Sequence, residues 1–470
     1  MKLINALKIF KTECIAFVGA GGKTTAMFRL AREIIDSNQF EKPVKTVLVT
    51  TTTHLGTWQK SLADTHYCLK SPEDIELLVH DSPSGVVVIS GEPSNDRIGG
   101  LSPDVLDNVR LYAEGKHIPL LIEADGARMC PLKAPAEHEP AIPDFVDEVI
   151  VLSGLSGYGK PLTSEWVYRP EEFAGLSGLA IGEAITPQAI ASVMIHTQGG
   201  LKNIRASARR VALLNQADSP ELQSRAYKIA EQLIPSFNSV IIASLMTNTA
   251  PQHSISDQEA EQAENIYAVF EEVGGIILAA GVGRRFGGPK QLLPWRGKPF
   301  IRHVALTALE AGLSPVVVVV GASAQQVQEA IQDLPVRIVI NPDWQSGQSF
   351  SIKAGLSGLN EFSGAALFLL ADQPQVSVQF IQSLVESHRR TLAPIVAPQI
   401  DGKRGNPVLF DSNTFPDLYS LQGDSGGRDL FSRYPIHWVP WHDYRFLMDI
   451  DTPEEYNRFL EIFPEHGENP

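Results

Sequence analysis

Apolar residues fall in short unbroken blocks along this chain, and the blocks alternate with stretches of helical spacing. In the first half, residues 14–18, 46–50, 86–89, 119–122, 211–214 and 240–243 form such blocks. Runs of this length, apolar on both faces, predict parallel strands buried between layers of helices. From residue 274 the pattern starts again, with strands predicted at 276–279, 316–320, 337–340, 366–370 and 395–398. Alternation of this kind places the chain in the α/β class, each half a doubly wound, Rossmann-type sheet. Residues 154–182 are rich in glycine and read as a loop that forms a cap or lid. Between the halves, 247–258 is polar, while Ile266, Val269 and Phe270 recur at helical spacing among acidic residues. The expected division is a domain at 1–252, a linker with a connecting helix at 253–273, and a domain at 274–470.

Length agrees with that division, since 470 residues exceed one ordinary domain. The formal charge of −15 argues against nucleic acid or an anionic membrane as partner, because both need basic surface. Local Lys and Arg can still hold an anionic ligand. The three cysteines, Cys14, Cys68 and Cys130, show no metal spacing and read as reduced thiols. Residues 1–11 lack the apolar core of a signal peptide, and no run reaches membrane-spanning length. A cytoplasmic protein is expected.

Candidate chemistry sits where the strand blocks end. After 276–279 come Gly281, Gly283, Gly287 and Gly288, interleaved with Arg285 and Lys290. Glycines there let backbone N–H groups approach a polyphosphate, and the two cations face the pyrophosphate that would leave. The spacing fits neither a dinucleotide fold nor a P-loop. Asp372 closes a second block, and Asp449 and Asp451 precede Thr452-Pro453 near the chain end. Transfer of a nucleotidyl group to a phosphate acceptor needs placement, Mg²⁺ and cations rather than a strong base. Strand-end carboxylates suit Mg²⁺. Asp449 and Asp451 each read as a ligand or as a cap on the helix after Pro453.

Those residues resemble the molybdopterin-type nucleotidyltransferases, within the wider glycosyltransferase-A-like fold. Asn341-Pro342-Asp343-Trp344, Gly347 to Ser351, Ala371-Asp372-Gln373-Pro374, Gly405-Asn406-Pro407-Val408, Gly423 to Gly427 and Asp449 to Pro453 resemble the molybdenum cofactor cytidylyltransferase branch. The likeness spans 274–463; the family more often has His where Asn406 stands, and Phe350 occupies a variable position. It implies that Leu278, Ala279, Ala280 and Gly281 hold the cytosine of CTP, and that Lys290 holds the triphosphate. It further implies Mg²⁺ on Asp372, with Asp451 as second ligand, and a pterin side formed by 347–351 and 405–407. Ala280 goes with CTP, since the guanylyl branch carries Gly there.

The first half has its own glycine loop, Gly19-Ala20-Gly21-Gly22-Lys23-Thr24-Thr25, between a predicted strand and helix. Gly-Lys-Thr supplies amide donors, a lysine for phosphates and a hydroxyl for Mg²⁺. Phe17 stands where the full Walker pattern wants glycine, so the loop is a shorter P-loop-like form, closer to that of Mur-type ligases. Thr50 to Thr53 end a second block in hydroxyls, and Glu123 and Asp125 end a third as a Walker-B-like Mg²⁺ pair. Asn215 and Asp218 are similar to a base-reading motif, with a plain Asx turn as the alternative. Arg128, Lys133 and His138 follow the carboxylates and offer an anionic second substrate a seat. The run Gly19 to Thr25, Thr50 to His54, Glu123 to Arg128 and Pro131 to Pro140 resembles the YqeC-type family. That family lacks a settled activity and is linked to selenium-dependent molybdenum hydroxylases.

The resemblances imply a fused enzyme that transfers CMP from CTP to molybdopterin, with an ATP- or GTP-binding accessory domain and an apo-molybdenum hydroxylase as partner. Two rivals stand beside it. One is a nucleotide-gated cofactor chaperone; the other is a sugar- or alditol-phosphate nucleotidyltransferase.

Overall fold

Nine strands form the first sheet in the computed structural model, which describes residues 1–94, 97–245, 265–283 and 286–464. They are β1 (Cys14–Gly19), β2 (Thr46–Thr51), β3 (Thr65–Cys68), β4 (Gly85–Ser90), β5 (Leu120–Glu123), β6 (Glu148–Gly154), β7 (Arg209–Asn215), β8 (Ser239–Ser244) and β9 (Asn265–Glu271). Their order is β9-β8-β7-β6-β1-β5-β2-β4-β3. Every pairing from β8 to β3 is parallel, as continuous apolar runs require. Ile15, Ala16 and Phe17 of the central β1 are completely buried. The helix Lys23–Ile35 lies on β2, β4 and β5, and its buried residues include Ala26, Met27, Leu30 and Ala31.

Two expectations fail in this unit. Residues 265–271 form a strand of the sheet, where acidic residues at helical spacing predicted a connecting helix. Pairing along β8 overrides the weak helical pattern, because a bare sheet edge with Val269 and Phe270 exposed would be costly. Residues 253–264 lie outside the described residues. The glycine-rich stretch 154–182 is also more ordered than a loop. Val167–Tyr168 pairs in parallel with Leu132–Lys133, and Pro170–Ser177 is a helix. The sequence reading also passed over β6, although Val149 to Leu152 carries the same apolar signal as its neighbours.

Chain contacts divide the protein into Met1–Phe270 and Glu271–Pro470. The second unit contains β10 (Val273–Ala279), β11 (Val316–Val320), β12 (Arg337–Ile340), β13 (Ala365–Leu370), β14 (Ile395–Ile400), β15 (Lys403–Arg404), β16 (Val408–Asp411) and β17 (Ile436–Trp441). Their order is β12-β11-β10-β13-β16-β14-β15, with β17 parallel on β14. Here the expectation of a purely doubly wound sheet needs amending, because β16 runs antiparallel to both β13 and β14. Two apolar clusters, one around Val318 and Leu367 and one around Val317 and Phe368, cover the two faces of this sheet. Neighbouring strand residues point to opposite faces, so the pairs divide as the pleat demands. Among the described residues no helix is long and apolar enough to cross a membrane.

Candidate active site

In the C-terminal unit, β10 ends at Ala279 and hands over to an open loop. Ala280 is buried, whereas a Cβ placed on Gly281, Gly287 or Gly288 would meet nothing within 4 Å. Gly283 differs. It sits at φ +61°, and a Cβ there would lie 2.0 Å from the Gly288 carbonyl oxygen. One glycine therefore closes the turn, and the Gly287 N–H is spent within it on the Gly283 carbonyl at 3.0 Å, while Gly281 and Gly288 leave open space beside the backbone. Gln291, which the sequence reading missed, is buried beneath this loop. Its Nε2 donates to the carbonyls of Ala279 (3.3 Å) and Gly281 (3.2 Å). Only its place directly after Lys290 could have drawn notice. Arg284 and Arg285 lie outside the described residues.

Lys290 begins a short 3₁₀ turn and reaches the carboxyl end of the sheet. Its Nζ lies 2.7 Å from Asp372 Oδ2 and 2.8 Å from Asp451 Oδ1. Asp372 stands two residues beyond β13, where parallel strands present ligands. Burial alone would lower the Lys290 pKa, but the facing Asp372 and Asp451 carboxylates hold it above its ordinary value. The cap of the last helix falls on a different residue of the motif. Thr452, not Asp451, caps the helix Pro453–Ile462, and Glu455 returns the bond in a capping box. Asp451 turns its carboxylate to Lys290. Asp449 accepts from Gln373 Nε2 at 3.1 Å.

Of the segments expected on the acceptor side, 347–351 is held against the turn at Gly423. Gly347, at φ +118°, has Gly423 2.2 Å from its Cβ position, and Ser349 Oγ donates to Gly423 O at 2.8 Å. Gly405 packs near Ile400, Pro398 and Leu447. At the opposite end of the sheet, where Ala365 pairs with Asp411, a second polar group is buried. Potential ligand atoms of Glu271, His388 and Asp411 lie within 4.8 Å of one another there. His388 Nε2 is 2.7 Å from Asp411 Oδ2.

The N-terminal unit repeats the same device in a tighter form. Gly19, Gly21 and Gly22 all have positive φ between β1 and the helix that starts at Lys23. Cβ atoms on Gly19 and Gly21 would strike the backbone of Leu152 at 2.2 Å and of Gly154 at 2.4 Å. Here glycine serves the close packing of the loop on β6. Lys23 Nζ donates to Gly19 O (2.7 Å) and pairs with Asp125 Oδ1 (3.1 Å) and Glu123 Oε1 (3.8 Å). Burial disfavours its charge, yet Asp125 and Glu123 keep its pKa raised. Asp125 Oδ2 also accepts the Gly19 N–H at 3.0 Å. The carboxylate thus occupies the two donors that a phosphate would use. Thr24 Oγ1 donates to Glu123 Oε2 at 3.2 Å, and Thr25 follows half-buried. Burial pushes the Glu123 carboxyl up, against the pull of Lys23.

Other expected residues are placed differently. Thr50, Thr51 and Thr52 donate to the carbonyls of Ile89, Glu123 and Ala141, so these hydroxyls tie strand ends together and do not face a phosphate. Asn215 is buried, donates to Gly21 O at 2.8 Å and accepts from Leu245 N at 2.8 Å. It clamps the glycine loop. Asp218 accepts from Ser244 Oγ. Lys133 bridges Asp125 and Glu139, whereas His138 is exposed. All three cysteines are free.

Fold and loop geometry define two α/β units, each with a lysine held between two carboxylates beside a glycine turn; the second is a nucleotidyltransferase domain. Residues 275–438 match the family described as the MobA-like NTP transferase domain, and residues 15–171 match the YqeC protein family. "Nicotine blue oxidoreductase" of Paenarthrobacter nicotinovorans is 36% identical over 198 residues, 40% of this chain and 96% of the relative. "Uncharacterized protein YqeC" of Escherichia coli (strain K12) is 33% identical over 205 residues, 43% of this chain and 75% of the relative. A "Probable molybdenum cofactor guanylyltransferase" of Bacillus anthracis is 28% identical over 198 residues, 40% of this chain and 95% of the relative. The chain belongs to both families, to YqeC through its N-terminal unit and to the MobA-like NTP transferases through its C-terminal unit.

Proposed function

We propose that the C-terminal unit transfers CMP from CTP to the terminal phosphate of molybdopterin and releases pyrophosphate. The observation that carries this reading is the Lys290 ammonium between Asp372 and Asp451, beside a glycine loop with open space at Gly281 and Gly288. Two carboxylate oxygens that converge on one ammonium can also converge on one hard cation, so the donor set fits Mg²⁺. Asp372 and Asp451 would hold Mg²⁺, which would supply positive charge against that of the triphosphate. Lys290 would then turn to the β- and γ-phosphates. An acceptor phosphate oxygen bonds to the α-phosphorus as the bond to the pyrophosphate oxygen breaks. No base is needed, because that acceptor is already ionised at neutral pH. Gln291 holds the carbonyl ends of the loop and so fixes where its amides point. Ala280, the residue that the resemblance ties to CTP, is buried beside Gly321.

In the N-terminal unit, Gly19 to Thr25 would hold the phosphates of ATP or GTP, with Glu123 and Asp125 as Mg²⁺ ligands. Asp125 must first release the Gly19 amide and Lys23. A hydroxylase that receives the finished cofactor is the fitting partner for such a unit. The test is pyrophosphate release with molybdopterin, Mg²⁺ and each of the four NTPs. Release with CTP, abolished by Asp372→Ala in a folded protein, is expected; turnover of a sugar phosphate alone would replace this reading with its rival. One relative of the same unit carries an oxidoreductase name, so an oxidoreductase assay belongs in the same series.

A further inference from the structure

A second concentration of charge lies beyond the glycine loop of the N-terminal unit, around the Tyr168 ring. Arg169 stands 4.4 Å from the ring centroid, Arg128 5.3 Å and Lys133 5.7 Å. All lie within the reach of a cation–π contact. Lys133 and Arg169 are already committed. Lys133 Nζ pairs with Asp125 Oδ2 (2.8 Å) and Glu139 Oε2 (2.9 Å), and Arg169 grips both oxygens of Glu139. Arg128 is not. It is exposed, and among the described residues it forms no ion pair.

Its backbone is unusual as well. Arg128 and Met129 stand in the left-handed region at φ 46° and 65°, with Arg169 at 64° across the ring. Met129 is 97% exposed. Side chains of this size seldom remain there unless their surroundings hold them, and such positions gather at binding sites. The local charges tell the same story. Lys23, Lys133 and Arg169 pair with Glu123, Asp125 and Glu139, and Glu172 acts on Arg169 as well, so of these four cations Arg128 alone stands outside the ion pairs among the described residues.

We propose that Arg128, held by Tyr168, binds the phosphate group of a second ligand, at a subsite separate from the glycine loop. A guanidinium fork matches two phosphate oxygens, and stacking on the ring limits the rotamer freedom lost on binding. The subsite follows β5 at its carboxyl end, the edge on which the glycine loop also lies. A Cβ on Gly126 would meet nothing within 4 Å, so the approach is open. The ligand's part as co-substrate rests on the nucleotide reading of the glycine loop; the existence of the subsite does not.

Equilibrium dialysis of the full chain with ³²P-labelled inorganic phosphate tests this, with Lys290→Ala in every arm to silence the C-terminal unit. Arg128→Asn, which tolerates a left-handed backbone, should weaken phosphate binding at least about tenfold, and Arg128→Lys by less. Lys23→Ala should leave phosphate affinity within about twofold while it removes a fluorescent ATP analogue, which Arg128→Asn retains. Competition by glycerol 3-phosphate would mark an ester ligand, and its failure would mark free phosphate. Undiminished binding in Arg128→Asn, no saturable binding in the parent, or equal losses in Lys23→Ala and Arg128→Asn would each overturn the subsite. Loss of ATP-analogue binding in the parent, with Arg128-dependent phosphate binding intact, would sink only the nucleotide reading.

Discussion

Two glycines two residues apart in the C-terminal loop do opposite work. Gly281→Ala adds a methyl into open space, so stability should change by no more than ~0.5 kcal/mol while CTP affinity falls. Gly283→Ala drives a methyl against the Gly288 carbonyl at a positive φ, and a loss of ~2 kcal/mol or more is expected. Urea titration and CTP binding on the two variants separate these outcomes. A different residue, Glu13, carries a pH signature. Burial and the nearby Glu148 push its carboxyl up to about 7 from an ordinary 4.5. A carboxyl raised in the folded state contributes stability below about 4.5, and that contribution is lost as pH rises through about 7. Glu13→Gln should therefore be more stable than the parent at pH 8, by up to ~3 kcal/mol, and about equal at pH 4. Denaturation midpoints at the two pH values decide it.

At the scale of elements, helix starts and strand ends place the chemistry. Thr452 caps the helix Pro453–Ile462, which leaves Asp451 one residue upstream with its carboxylate on Lys290. Thr452→Ala should cost ~1 kcal/mol through the lost cap and also lower nucleotidyl transfer, because Asp451 loses its anchor. An unchanged rate with reduced stability would detach the cap from the site. The glycine loops show why motif spelling is an incomplete guide. In the N-terminal unit the glycines satisfy packing on Leu152 and Gly154, and Asp125 takes the Gly19 amide and pairs with Lys23. In the C-terminal unit most of them stay uncovered. Thr50 to Thr52 spell a phosphate-contacting cluster, yet their hydroxyls serve neighbouring carbonyls. Local sequence carries the donor but not its partner.

For the whole molecule, each unit has its own apolar core and its own candidate ligand. A ligand that binds only one folded unit stabilises that unit, by ~2.7 kcal/mol at a hundredfold excess over Kd. CTP should therefore slow amide exchange in β10, β13 and their loops, and ATP should slow it around β1 and β5. Protection by CTP confined to the N-terminal unit would reverse the assignment. The sequence by itself determined the α/β class, the two glycine loops, Lys23, Lys290, Asp372 and the strand blocks. Those signals are local, a run of apolar residues or a turn that only glycine permits. Tertiary structure alone decided the rest. It made 265–271 a strand, turned β16 antiparallel, gave the cap to Thr452, set Gln291 beneath the loop and left Arg128 beside Tyr168 with no ion pair among the described residues. Each of these depends on which distant residue arrives beside it, and the energy of a pairing resides in both partners, not in either stretch of chain.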